Sequence, residues 1–178
     1  MRWPRNLIRK QVISSYVAAG KYFRIGTGVP YIDTHASATW PANNQAIYIP
    51  FELDMPMIVT QMFTVNGATA SGNVDVGIYS ADGTRLVSKG STAQSGTNTI
   101  QAYDITDTYL DCGAFYMALA LSSTVGTLFR LSHGAANDWL IWGGLQQASA
   151  FALPATATFA VNTTQYLPLF GITGNSVI

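Results

Sequence analysis

The chain has 178 residues, of which 48% are hydrophobic and only 10% are charged, and its formal net charge is zero. Soluble domains usually carry about 25% charged residues, so much of this surface must be polar but uncharged, or apolar. The single cysteine, Cys112, excludes an intrachain disulfide framework, and two histidines are too few for a His-rich metal centre. Glutamate and lysine are rare, which makes a largely helical protein improbable.

The first predicted element is a basic N-terminal arm, residues 1–39. Six cations precede the first acid, Asp33, whereas the rest of the chain holds three cations and all nine acids. Apolar residues between Leu7 and Val17 fit one side of a short helix as well as an extended segment, so we expect an extended or partly helical arm. A basic arm on an acidic body predicts docking on other proteins, including a neighbouring copy. The expected partner-binding residues are Arg2, Trp3, Arg5, Leu7, Ile8, Arg9, Lys10, Val12, Ile13, Tyr16, Lys21 and Arg24.

Residues 40–178 are predicted to form one all-β domain, an antiparallel β-sandwich of jelly-roll-like type. Short runs rich in Val, Ile, Thr, Tyr and Phe alternate there with turn-forming residues. Alternation of apolar and polar side chains predicts strands with one buried and one solvated face. The expected strands are Ala46–Leu53, Ile58–Val65, Val74–Tyr79, Arg85–Ser91, Thr97–Ile105, Ala114–Ser122, Thr127–Leu131 and Gln165–Ile172, with one or two more between Trp139 and Val161.

The sharpest local signal is the turn between Val74–Tyr79 and the following strand. Asp82-Gly83 supplies the positive φ that tight hairpins require. We therefore predict a β-hairpin closed by these two residues.

Neither a membrane nor a nucleic acid is an expected partner. No apolar run approaches the roughly 20 residues of a membrane-spanning helix, and polar residues interrupt the apolar segment that a signal peptide would need. The arm has the charge for nucleic acid, but the acidic body opposes a phosphate backbone.

Catalytic and metal-binding patterns are weak. Ser132, His133 and Asp138 suggest a triad, yet Ser132 is not in a Gly-x-Ser-x-Gly elbow and neighbours on a strand point to opposite faces. His35 and His133 lack a third spaced ligand. We predict that the protein is not an enzyme and that it binds neither a cofactor nor a resident metal.

Asp104, Asp107 and Asp111 are predicted to lie in one loop between strands. Such acids suit glycoside hydrolysis or calcium binding, but the spacing is not that of an EF-hand, and capping of turns is the preferred interpretation. Calcium binding by this segment stays open. Cys112 follows Asp111, whose charge disfavours a thiolate, so we expect a structural thiol.

Trp139 and Trp142 are the candidate ligand-binding aromatics. They flank Leu140-Ile141 and have the chemistry to stack sugar rings. Tryptophan also dominates sandwich cores and protein interfaces, which is the preferred interpretation.

Two segments carry a resemblance to a known class of proteins. Residues 72–87, GNVDVGIYSADGTRLV, and 113–121, GAFYMALAL, resemble the hairpin and following strand of β-sandwich modules in structural proteins of tailed bacteriophages, and Ile47–Phe51 fits the same pattern. Phe115 stands where that strand pattern has its first tyrosine. These motifs encode strands and turns, so no catalytic residue is carried over.

The resemblance implies a non-enzymatic virion structural protein on the particle exterior, assembled in the host cytoplasm. A tail fibre or tail-appendage subunit anchored by its N-terminal arm is the first expectation. A capsid cement or decoration protein and a carbohydrate-binding adhesin module for host attachment are the alternatives. The implied partners are other virion structural proteins, further copies of the same chain and, for the adhesin, a host surface glycan.

Overall fold

A computed structural model describes residues 13–17, 22–26, 35–131, 143–164 and 166–176, and for the first two of these segments and Ser176 it describes the backbone only. The described residues form strands and connecting turns without a helix. Every strand pair is antiparallel, and the strands form a sandwich of two large sheets. The predicted all-β sandwich class is confirmed.

The strands, numbered in chain order, are β1 (Ile13–Val17), β2 (Tyr22–Gly26), β3 (His35–Thr39), β4 (Gln45–Leu53), β5 (Met57–Val65), β6 (Asn73–Ser80), β7 (Arg85–Ser88), β8 (Thr92–Ala93), β9 (Ile100–Leu110), β10 (Gly113–Leu121), β11 (Thr127–Leu131), β12 (Leu145–Gln147), β13 (Ala160–Val161) and β14 (Phe170–Ser176).

Two sheets enclose the main core. The front sheet has the order β1-β2-β14-β5-β9, and the back sheet has the order β13-β12-β4-β10-β6-β7, with β8 beside β6. Strands β11 and β3 form a separate pair. Inward-facing side chains such as Ile49, Met62, Val76, Met117 and Ile172 are fully buried between the sheets. Successive side chains of a strand point to opposite faces, so every second residue is directed between the sheets, where β-branched and long apolar side chains pack well.

The back sheet is buried on both faces, which corrects the prediction of one solvated face. A second apolar cluster, containing Tyr48, Tyr79, Ala118 and Leu153, lies on its outer side. Residues 148–159, here called the outer cover, lie across this face. Alternation of residue types in β4 and β6 was therefore misleading, because a later segment of the chain covers the face that the pattern assigned to water.

Most predicted strands are confirmed within a residue or two at each end. The predicted strand Arg85–Ser91 is too long, because β7 ends at Ser88 and the next strand, β8, begins only at Thr92. The predicted strand Gln165–Ile172 is wrong in its bounds, because β14 begins at Phe170 and runs on to Ser176. Two strands, β12 and β13, lie between positions 139 and 161, as predicted. The predicted strand Thr97–Ile105 is wrong in its bounds, because β9 runs on to Leu110. Its acids occur in a strand rather than a loop.

The predicted hairpin between β6 and β7 is confirmed. The Ser80 N–H donates to Thr84 O at 2.9 Å, and Gly83 adopts φ +88°. The Asp82 carboxylate accepts hydrogen bonds from the Ser80 hydroxyl and, at 3.1 Å, from the Thr84 N–H. Both bonds favour the charged carboxylate, and they lower the pKa of Asp82 below its usual value.

The described part of the predicted arm is extended. Strands β1 and β2 pair with each other, β2 pairs with β14, and β3 pairs with β11. Two arm segments, β1 and β2, thus extend the front sheet, and the third, β3, belongs to the separate pair with β11. The division at residues 39 and 40 stays a prediction.

Candidate functional site

Several predicted site residues lie outside the described residues. They are Arg2, Trp3, Arg5, Leu7, Ile8, Arg9, Lys10, Val12, Lys21, Ser132, His133, Asp138, Trp139 and Trp142. Ile13 and Tyr16 fall in β1 and Arg24 falls in β2, where only the backbone is described. The weak triad and histidine-pair patterns, and the sugar-stacking alternative for the two tryptophans, therefore fall on residues outside the described part of the chain, in whole or in part.

The acids predicted to share a loop lie along one edge of the front sheet. Asp104 and Asp107 are exposed residues of β9, and Asp111 is exposed just after it. Tyr103, Ile105 and Leu110 are buried on the other side of the same strand. Because strand residues alternate between faces, the acids point away from the core. Sequence reasoning missed this because aspartate and threonine are frequent in turns.

A local irregularity brings Asp107 to the outward side. Gln61 pairs with Asp104 and Val59 pairs with Thr108, so β9 uses two more residues than β5 over this interval. A bulge of this kind bends an edge strand and interrupts its regular hydrogen-bond pattern. Asp107 is therefore exposed within the bulged part of β9, on the strand that also carries Asp104.

The turn after β9 lies beside the turn between β4 and β5. The register aligns Met57 with Leu110 and Leu53 with Gly113, so both crossings close the same end of the sandwich. Cys112 is exposed, and its Sγ lies 3.6 Å from Asp54 O. The Asp111 carboxylate accepts a hydrogen bond from the Cys112 N–H at 2.8 Å. Turn capping by Asp111 agrees with the preferred interpretation of this acid.

Exposed apolar side chains accompany the acids. Ile100 is 51% exposed and Tyr109 is 57% exposed, at the two ends of β9. Within the described ranges, β9 has β5 as its one hydrogen-bonded neighbour, so its other side is a free sheet edge. We call the outward side of β9, with Ile100, Asp104, Asp107, Tyr109 and the adjoining Asp111, the β9 edge.

The β9 edge is not arranged as a metal centre. Among residues 35–131, 143–164 and 166–175, no three His, Cys, Asp or Glu side chains converge closely enough to hold a metal ion. His35 is exposed at the start of β3. The acids of β9 are spread along a strand, which suits contact with an extended cationic segment better than chelation of one ion.

A second carboxylate, Asp75, lies in the predicted strand Val74–Tyr79, where the alternation of apolar and polar residues assigns it to the solvated face. It is fully buried in the centre of β6. Its oxygens accept hydrogen bonds from the Ser88 hydroxyl at 2.8 Å and 3.0 Å, the Gly90 N–H at 2.9 Å and the Leu153 N–H at 2.9 Å. Asp75 therefore ties β6 to the outer cover. The single signal in the sequence was an acid inside an otherwise apolar strand.

Other polar contacts hold the outer cover in place. The Tyr79 hydroxyl donates to Pro154 O at 2.6 Å, and the backbone N–H of Arg85 donates to Ala155 O at 2.9 Å. The Phe159 ring lies 4.5 Å from the Tyr116 ring, centroid to centroid. Burial raises the pKa of Tyr79 well above its usual value, so this hydroxyl stays a donor. The outer face of the back sheet is thus occupied by the chain itself.

The end of the sandwich opposite the acidic turns holds an uncharged polar network. The Asn66 amide donates to Gln101 Oε1 at 2.9 Å and to Ser95 O at 2.7 Å, and the Thr64 and Tyr103 hydroxyls lie 3.0 Å apart. Burial raises the pKa of Tyr103 to about 12. These side chains are hydrogen-bonded to one another, which is typical of a structural network.

Comparison of the chain with protein-family models, with curated proteins and with solved structures gives no match. The portion of the chain that the structure describes holds no helix capable of spanning a membrane. Among the described residues, the surface that combines charge, apolar exposure and a strand edge without a paired neighbour is the β9 edge, and it is the candidate functional site.

Proposed function

We propose that this chain is a non-enzymatic structural subunit on the exterior of a bacteriophage particle, in the first place a tail fibre or tail-appendage subunit. The N-terminal arm anchors the subunit to other virion proteins. The sandwich packs in a homo-oligomer or projects outward. The observation that carries the proposal is the arrangement of the segments that resemble phage β-sandwich modules.

Those segments are neighbours in space. Residues 72–87 contain β6, the turn after it and all but the last residue of β7, residues 113–121 are β10, and Ile47–Phe51 lies in β4. Strand β10 pairs with β6 on one side and with β4 on the other. Three stretches that are far apart in the sequence thus form one continuous part of the back sheet, as expected if the resemblance reflects one structural module.

The distribution of charge supports an assembly role. The basic arm and the acidic body have opposite charge, and the chain has few charged residues. A subunit whose surface is largely interface needs fewer charges than a free protein, because the cores of interfaces are depleted of them. An arm of one charge and a body of the other favour association between subunits.

The experiment measures attachment to purified particles that lack this component. Full-length protein and a chain without residues 1–21 are each mixed with the particles and sedimented. We expect stoichiometric attachment of the full-length chain and none of the shortened one. Lys89→Gln, which removes an exposed cation of the body, is the matched control and should attach normally.

The copy number then distinguishes the two virion locations. A number proportional to the capsid subunits indicates capsid decoration, whereas a number set by the symmetry of the tail indicates a tail appendage. A full-length protein that never attaches, or a shortened chain that attaches equally well, contradicts the proposal.

A further inference from the structure

We propose that the β9 edge binds the N-terminal segment, residues 1–12, of a second copy of this chain. This inference rests on the proposed function in that it assumes the arm to be the anchoring element, and it names the surface that receives it. The contact would join subunits in a directional, head-to-tail manner, because the donor arm and the acceptor edge are different parts of the chain.

Charge complementarity identifies the occupant. Asp104, Asp107 and Asp111 are exposed along and just after β9. The segment 1–12 contains four cations and no acid: Arg2, Arg5, Arg9 and Lys10. An extended segment with cations at intervals can place several of them against acids spread along a strand, so that several exposed ion pairs form together.

Apolar contacts accompany the charges. Leu86, in strand β7 beside β9, is 42% exposed, and Ile100 and Tyr109 are more exposed still. The arm segment supplies Trp3 and Leu7 as counterparts. A surface that carries both acids and exposed apolar groups suits a segment that carries both cations and apolar groups.

The acids and the bulge of β9 also disfavour pairing with a second β9 strand. Two β9 strands placed side by side would bring like charges together, which is unfavourable, and the bulge interrupts regular pairing. Natural edge strands use charges and bulges in this way to prevent indiscriminate association. The acids of the β9 edge attract a cationic segment and repel a second acidic strand, so this edge selects for the arm.

Geometry favours the arm of a second copy over the chain's own arm. Ser15, Arg24, Thr173, Gln61 and Asp104 are aligned across the front sheet by the strand registers. Four inter-strand spacings separate β1 from β9, or about 19 Å.

The arm's own connection is too short to lay residues 9–12 along the β9 edge of the same chain. Lys10 is three residues before Ile13 in β1 and Arg9 is four residues before it, and three or four residues span at most about 11–14 Å. The backbone at Arg9 and Lys10 therefore stays short of its own β9, whereas the arm of another copy can align the whole segment with all four of its cations.

The test uses the natural thiol next to Asp111 as a reporter. One chain carries Leu7→Cys together with Cys112→Ser, and the other is unmodified, so a mixed disulfide can form only between copies. We expect a covalent dimer after mild oxidation. Asp107→Asn with Asp111→Asn in the acceptor chain should lower the rate of dimer formation about tenfold. An excess of a peptide of residues 1–12 should compete.

Glu52→Gln in the acceptor is the matched control. Glu52 is exposed on β4, in the back sheet, and it lies close to the turn that holds Cys112. The substitution therefore removes one charge near the thiol without changing the β9 edge. We expect an unchanged rate, which separates docking from a simple effect on thiol reactivity. Circular dichroism and sedimentation of each variant verify that it is folded.

The outcomes separate this inference from the proposed function. No cross-link, or a rate that is unaffected by the Asp107 and Asp111 substitutions, overturns the inference. A chain with Leu7→Cys and its own Cys112 that closes an internal disulfide in preference to a dimer also overturns it. Arm-dependent attachment to particles without the cross-link leaves the proposed function intact, whereas cross-linking without arm-dependent attachment supports the inference alone.

Discussion

Asp75 is the residue whose environment differs most from what its type suggests. A carboxylate at the centre of a sheet is costly to bury unless its oxygens are hydrogen-bonded. Here three donors serve the two oxygens: the Ser88 hydroxyl, which lies within hydrogen-bond distance of both, and the N–H groups of Gly90 and Leu153. The residue thus connects the centre of β6 to β7, to the turn after β7 and to the outer cover.

We predict that Asp75→Asn destabilises the protein by about 2–4 kcal/mol. An amide nitrogen would replace one acceptor oxygen and face the N–H of Gly90 or Leu153, leaving a buried donor without its partner. Chemical unfolding measures the free energy, and hydrogen exchange at Leu153 should rise most. Asp104→Asn is the matched exposed control, expected to change stability by no more than about 0.5 kcal/mol. Equal effects of the two substitutions would contradict the assignment.

The raised pKa of Tyr103 predicts that the protein loses stability at high pH. Burial raises its pKa to about 12 from the usual value of 10.0. Below pH 10 the tyrosine is neutral in the folded and unfolded states. Above it the unfolded chain loses protons first, so stability falls by about 1.4 kcal/mol per pH unit for each such group until the folded pKa is reached.

The measurement is the free energy of unfolding from about pH 9 to about pH 11.5. Tyr103→Phe should reduce the slope of the free energy of unfolding against pH by the contribution of one tyrosine. Tyr109→Phe, at an exposed position, should leave that slope unchanged. An identical slope in the Tyr103 variant would show that its hydroxyl ionises normally in the fold.

Among the elements, β9 shows where pattern reading fails. Its inward residues, Tyr103, Ile105 and Leu110, have the apolar character of a strand, but the bulge shifts the alternation midway. Asp and Thr at the outward positions then resemble a turn sequence. The site was consequently assigned to a loop, although the three acids themselves were identified from the sequence.

The β6–β7 hairpin shows where pattern reading succeeds. Asp82-Gly83 was sufficient because the turn is specified by local backbone conformation. The burial of Gly83 was not predictable, because the residues that contact it belong to the outer cover, which is distant in the sequence. A Cβ at Gly83 would lie 3.1 Å from Ala157 O and 3.3 Å from the Phe159 ring.

We predict that Gly83→Ala costs more than Gly90→Ala. Both glycines have positive φ, +88° and +78°, so each alanine incurs about 1–2 kcal/mol of backbone strain. Only at Gly83 does the added Cβ also press on neighbouring atoms, because nothing lies within 4 Å of the Cβ position at Gly90. Thermal unfolding of both variants measures the difference. Indistinguishable melting temperatures would mean that the outer cover moves away from the added Cβ without a loss of stability.

For the whole molecule, the sequence was sufficient for the class of fold but not for its layers. Local alternation and turns identify strands, and they indicated a sandwich. The outer cover and the order of strands depend on contacts between distant segments, such as Tyr79 with Pro154, which no local pattern encodes. The arm was recognised by its charge, while its pairing through β2 with β14 was not foreseen.

We predict that two deletions of the arm differ sharply in stability. Removing residues 1–21 removes β1, the outermost strand, whose described partner is β2 alone. Removing residues 1–39 also removes β2 and β3 and leaves β14 and β11 without these partners. The first chain should unfold cooperatively near the temperature of the full-length protein, and the second should be less stable by several kcal/mol or aggregate. Equal stability would place the boundary of the folding unit at residue 40.

Strand β14 lies between β2 and β5, although it follows both of them by more than a hundred positions in the chain. During synthesis, the middle of the front sheet must therefore wait for residues 170–176 to leave the ribosome, and β2 and β5 cannot acquire their shared neighbour before then. A nascent chain would expose the apolar side of β5 until that moment, so we expect it to depend on chaperones. The front sheet that carries β9 is thus completed only after residues 170–176 have been synthesised, so subunit docking that needs a complete front sheet follows the emergence of this segment.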